Sequence, residues 1–145
     1  MSVLGALHRD QFPPRTRAMR LRAQVAVLLA RVLARLKPHH LQRVLARLSR
    51  GARPATFAQA MAARRVVLAG RISLHGVKAC LPRSLSAVLL CRAYGVWPTW
   101  CVGVGARPPF GAHAWIEVGE KLVGEPGEHR DWVRLITVPP LSEPA

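Results

Sequence analysis

Two short stretches of the chain carry residue types that together perform acyl-transfer chemistry. Cys80-Leu81-Pro82-Arg83-Ser84-Leu85 reads as a cysteine at the mouth of a helix. Phe110-Gly111-Ala112-His113-Ala114-Trp115-Ile116-Glu117 reads as a strand carrying one histidine. A thiol at a helix start faces unpaired N–H groups and the positive end of the helix dipole, and both favour the thiolate. Pro82 fits the first turn, where a missing N–H costs little. An imidazole on a separate element supplies the base, and a carboxylate would orient it.

Four carboxylates are candidates for that third role: Glu117, Glu125, Glu128 and Asp131. If residues 111–118 and 121–125 form a hairpin, the length of its turn decides the matter. A two-residue turn sets Glu125 opposite Ala114, on the face away from His113. A three-residue turn sets it opposite Trp115 and diagonal to His113, within reach of a long side chain. Glu125 therefore needs an odd-length turn or a bulge. The strand period puts Trp115 and Glu117 on the His113 face, and the small Ala112 and Ala114 leave room for another element to approach.

Other residues of these types read as structural. Cys91 continues the apolar neighbourhood of the Cys80 helix, and Cys101 sits mid-strand. His39 and His40 sit beside a helix-breaking Pro38, His75 and His129 belong to loops, and Gln59 reads as a solvated helix residue rather than an oxyanion donor. Gly103-Val104-Gly105 lacks the rest of a nucleotide fingerprint and reads as loop flexibility. Trp97, Trp100 and Trp115 read mostly as core and sheet packing.

The elements that must position the pair follow from periodicity. A helix is expected from Pro14 to Leu36, with Val25, Leu28, Leu29, Val32 and Leu36 on its buried face and Arg20, Gln24, Arg31 and Arg35 outward. Leu41, Val44, Leu45 and Leu48 predict a second short helix, with Arg43, Arg47 and Arg50 outward. Pro54 opens a third, ending near Gly70. A fourth runs from Cys80 to Tyr94-Gly95 with an apolar stripe of Leu81, Leu85, Val88 and Leu89. Strands are expected at 97–104, 111–118, 121–124 and 133–138. Helices first and strands after predict an α+β fold: N-terminal helices, a catalytic helix and a small antiparallel sheet.

With 145 residues, half of them apolar, the chain can bury one core. Three cysteines without a C-x-x-C pair argue against a disulfide framework or structural zinc. No signal-peptide core or membrane-length apolar run is present, so the chain reads as cytoplasmic with reduced thiols. Residues 1–79 hold 16 Lys and Arg against the single Asp10, a net +15, whereas residues 80–145 balance at six of each sign. The expected organisation is a basic helical region over 1–70, a catalytic core over 71–138 and a Pro-rich tail over 139–145. The cationic half is expected to meet something acidic.

The Cys80 to Leu85 motif, a helix closing at Tyr94-Gly95-Val96, a strand ending in Gly103-Val104, and Pro109 to Glu117 resemble the lasso-peptide maturation proteases. These belong to the transglutaminase-like, papain-related superfamily of microcin-processing proteins, and the resemblance spans roughly residues 66–138. It implies a transglutaminase-like cysteine-protease core with Cys80 as nucleophile and His113 as base. The third member is usually Asp, and the matching position here is Glu125.

It also implies removal of the leader from a ribosomally made precursor, freeing the core peptide for a separate lasso cyclase. The short, helical N-terminal half is expected of the stand-alone form, which works with a separate leader-recognition protein. The arginine faces would dock that protein, an acidic leader, or both. No metal or organic cofactor is required. The alternatives are an acyltransferase using the same triad, and a basic helical module binding nucleic acid or anionic membrane, although no recognised nucleic-acid motif is present and DNA is not expected.

Overall fold

The computed structural model describes residues 16–69 and 71–141. The expected loose arm at 1–13, the helix start at Pro14, the helix end at Gly70 and positions 142–145 of the tail lie outside them. Among the described residues the architecture is α+β, with four α-helices and a small antiparallel sheet. Helix α1 spans Arg17–Leu33, and the Thr16 hydroxyl accepts from the Met19 N–H at 3.2 Å to cap it. Helix α2, Pro38–Leu48, begins on the proline expected to stop its predecessor. A proline is favoured at a first helical position, and α1 has already closed at Leu33, short of the expected Leu36.

Pro54 does not open the third helix. Arg53–Pro54 form a short strand, β1, pairing parallel with β2 (Val96–Trp97). Helix α3, Phe57–Leu68, starts instead at a reciprocal capping box. The Gln59 N–H donates to the Thr56 hydroxyl at 3.1 Å, and the Gln59 side chain accepts from the Thr56 N–H at 2.9 Å. Two short 3₁₀ turns, Ile72–Leu74 and Val77–Ala79, lead into α4, Cys80–Ala93.

The expected strand at 97–104 divides at Pro98 into β2 and β3, Thr99–Gly105. With β4 (Ala112–Val118), β5 (Lys121–Leu122) and β6 (Trp132–Val138), β3 forms an antiparallel sheet in the order β5-β4-β3-β6. Helix α4 packs against α1, α3 and β4, and every residue from Arg83 to Cys91 is buried. The expected four-residue stripe is thus too narrow: a helix covered on all sides needs no polar face. One sheet face, with Trp100, Ile116 and Val138, joins a core that runs unbroken from Ala23 to Val138. The other gathers Cys101, Trp115 and Leu122 with Trp132.

Helix α1 buries the face opposite to the one expected. Met19, Ala23, Ala26, Val27 and Ala30 are buried, while Leu28 and Val32 are 65% and 62% exposed. The helix has two apolar faces, and the alanine face is the one that lets its backbone come close to α4. Counting large apolar residues selected the bulkier stripe; close helix packing selected the smaller.

Candidate active site

Cys80 is the first residue of α4, half-buried, and lies against the open edge of β4. The Val123 N–H donates to the Ile116 carbonyl at 3.0 Å, so the polar groups of Ile116 point to the β5 side. Two residues away, the Ala114 N–H points to the same edge, where β5 has already ended, and it donates to the Cys80 sulfur. His113, beside it, hydrogen-bonds the same sulfur through its side chain. The helix start and the strand edge therefore meet at one atom.

On its other side the His113 imidazole meets Glu125, with Nε2 3.4 Å from Oε2. The second carboxylate oxygen, Oε1, lies 3.3 Å from Arg83 Nη2 and 3.5 Å from Arg64 Nη2. The ring itself is sandwiched, its centroid 5.8 Å from Trp115 and 5.1 Å from Trp132.

Glu125 reaches His113 without the odd-length turn that a continued hairpin would demand. Glu117 pairs with Leu122 and Val118 with Lys121, a two-residue turn at Gly119-Glu120. A regular ladder would have sent Glu125 to the far face. Pairing instead stops after Val123, because Gly124 takes φ +69° and redirects the chain. A Cβ there would also lie 2.6 Å from Arg64 Cδ, so glycine lets the arginine cross over to the carboxylate.

Electrostatics follow the contacts. The hydrogen bond from His113 is the main influence lowering the Cys80 thiol below its ordinary value; burial opposes it, and Ala114 N–H with the charges of His113 and Arg83 assists. His113 is raised to about 9, chiefly by its hydrogen bond to Cys80 and then by Glu125, against desolvation. Burial pushes Glu125 up, but the His113 hydrogen bond and the charges of Arg83, His113 and Arg64 outweigh it and hold the carboxyl low. Both shifts favour the charged forms, a thiolate beside an imidazolium backed by a carboxylate, and the two groups titrate as a pair. Cys91 and Cys101, by contrast, are pushed up to about 12, by burial foremost in each.

The remaining candidates are elsewhere. Glu117, 4% exposed, accepts from Trp115 Nε1 at 2.8 Å, contacts His129 Nδ1 at 3.2 Å and pairs with Arg134. Asp131 caps the turn before β6 by accepting from the Glu128 N–H at 2.7 Å, and Glu128 pairs with Arg130 at the surface. His75 contacts the Leu68 carbonyl, and His39 and His40 are exposed. Gln59 is neither an oxyanion donor nor simply solvated, since its side chain caps α3. Gly103 is a strand residue rather than a flexible loop. It sits opposite His113, and a Cβ there would run into the Val133 carbonyl and the Trp115 ring.

Reading residue types alone missed four contributors: Arg83, Arg64, Trp132 and the Ala114 N–H. Arg83 had a signal. A cation in the first turn of a helix opposes the dipole, so it needs a local reason to be there. Its Nη1 donates to the Leu74 and Gly76 carbonyls, both at 3.1 Å, so the guanidinium ties the approach to Cys80 directly to Glu125.

A thiol at a helix start, beside an imidazole on an antiparallel strand with a carboxylate behind it, is the arrangement that cysteine acyl-transfer chemistry calls for. The chain belongs to the transglutaminase-like superfamily, whose family model matches residues 23–137. That family generally covers cysteine-protease and acyltransferase activity. No curated protein and no solved structure matched the chain.

Proposed function

We propose that the protein is a cysteine endopeptidase that removes the leader from a lasso-peptide precursor. The observation that carries this is the junction of Cys80, His113 and Glu125, supplied by α4, β4 and the turn after β5. The resemblance of the cysteine and histidine motifs to lasso-peptide maturation proteases narrows the substrate.

In this reading the Cys80 thiolate attacks the carbonyl of the leader's last residue. The new S–C bond forms as the C–N bond breaks, and the His113 imidazolium gives its proton to the departing core amine. His113, now neutral, takes a proton from water, which hydrolyses the thioester and releases the leader as a carboxylate. The Cys80 backbone N–H, at the helix start, is placed to stabilise the oxyanion. Glu125 keeps the ring oriented and charged. The setting is cytoplasmic, with a separate leader-recognition protein presenting the substrate and a cyclase accepting the core.

Acyl transfer to an amine uses the same thioester, and the product separates the two readings. The protein is incubated with a lasso-type precursor and its recognition protein, and products are identified by mass spectrometry. A leader ending in a free carboxylate supports hydrolysis, and a leader joined to an amine supports transfer. Cleavage surviving Cys80→Ala or His113→Ala would end the assignment.

A further inference from the structure

The outward face of α1 is apolar, and no described residue covers it. Leu21, Val25, Leu28, Leu29 and Val32 form a stripe at the spacing of a helix face, on the side opposite the buried Met19, Ala23 and Ala30. Leu21 is 61% and Leu29 51% exposed, so half or more of each residue stands in solvent. Contiguous exposed apolar surface of this kind marks an interaction site.

The stripe is also concave. Leu21, Val25 and Leu29 form one wall of a groove of about 390 Å³ whose other wall is Leu48 of α2 with Leu89 and Ala93 of α4. Its rim carries Arg22, whose guanidinium lies 5.0 Å from the Tyr94 ring, and Arg92, which donates to the Leu48 carbonyl at 2.6 Å. Both cations line the groove itself. Between Asp10 and Glu117 the sequence has no carboxylate at all. The groove therefore combines apolar pockets with a border of one sign.

We infer that this groove binds an acidic amphipathic helical segment of a partner protein, its apolar side chains filling the groove and its carboxylates meeting the arginine rim. Concavity favours a protein segment over a bilayer, because side chains at i, i+3 or i+4 and i+7 fill a groove that a flat lipid surface would bridge. Charge excludes a second copy of the same face, which would bring arginines against arginines. The site is remote in kind from the thiol chemistry, and the inference holds whichever bond Cys80 attacks.

The test uses the full chain and three probes. The first is a synthetic helical peptide of about five turns with leucines on one face and glutamates elsewhere, paired with a control in which every glutamate becomes lysine. The second is a vesicle of phosphatidylcholine and phosphatidylglycerol. The third is the protein alone, in sedimentation velocity. The acidic peptide should bind in the micromolar range and weaken about tenfold or more as salt is raised from low to physiological. Val25→Glu with Leu29→Glu should weaken it by at least about tenfold, and the milder Leu29→Ala should weaken it less, with thermal melts showing that each variant is folded. No binding of the acidic peptide at millimolar concentration would overturn the inference, as would equal binding of the lysine control. Vesicle binding or self-association that disappears in the double variant would overturn it too, by assigning the face to lipid or to a second copy.

Discussion

Arg83 and Glu125, 42 positions apart, meet with Nη2 3.3 Å from Oε1, and this contact joins the helix that carries Cys80 to the turn that supports His113. The same guanidinium holds the backbone just ahead of the cysteine through the Leu74 and Gly76 carbonyls. One buried side chain thus sets two of the three site elements relative to each other.

Arg83→Met should lower kcat/KM roughly 10–100-fold by letting the supporting carboxylate drift. A purely structural role would not alter the thiol's titration, but Arg83 is one of the charges lowering Cys80. The variant's thiolate should therefore appear at higher pH, read from ultraviolet thiolate absorbance. An unchanged midpoint in a folded variant would confine Arg83 to structure.

Among the three cysteines, one should react. Cys80 is accessible and lowered, whereas Cys91 and Cys101 are buried and pushed up to about 12. Limiting iodoacetamide at neutral pH should alkylate Cys80 alone, with the other two labelled only after unfolding, as peptide mapping would report. Comparable labelling of Cys101 in the folded protein would contradict the assigned environments.

The pH profile has a definite sign. The leaving amine needs the His113 imidazolium, which persists to about 9 because Cys80 and Glu125 both favour the charged form. Activity should fall on the alkaline side near that pH. Glu125→Gln removes one of the two supports, so the alkaline limb and the ring's NMR titration should both move to lower pH. If neither moves, Glu125 does not hold the ring charged.

Two glycines should resist substitution for different reasons. Gly124→Ala forces a side chain into φ +69° and against Arg64, displacing Glu125; it should cost about 1–2 kcal/mol and depress activity beyond its effect on the melt. Gly103→Val meets the Val133 backbone and the Trp115 ring, and should cost about 1–3 kcal/mol or more by denaturant titration. A neutral Gly103→Val would mean β3 and β6 are not packed as described.

Local chemistry was legible where it was local. The Cys80 helix, its close at Gly95 and the His113 strand follow from turn residues and a two-residue period, whereas the capping box of Thr56-Phe57-Ala58-Gln59, which fixes the start of α3, was passed over in favour of Pro54. What could not be read depended on competition between distant partners. Helix α1 carries two apolar faces, and only the space beside α4 decides between them. Glu125 depended on where a ladder breaks, and the break lies at Gly124, a residue that hairpin counting treats as one more rung. Arg64 and Trp132 reach the site from elements far apart in sequence, and no local pattern announces such contacts.

In the proposed reaction Cys80 takes up the leader as a thioester, and trapping that species is the most direct test. Precursor, recognition protein and enzyme are mixed, quenched in acid within the first turnovers and measured as intact proteins. A new species should appear at the enzyme's mass plus the leader acyl group, mapped to Cys80 and absent from Cys80→Ala. Leader release by wild type with no such adduct, together with undiminished release by Cys80→Ala, would contradict the account.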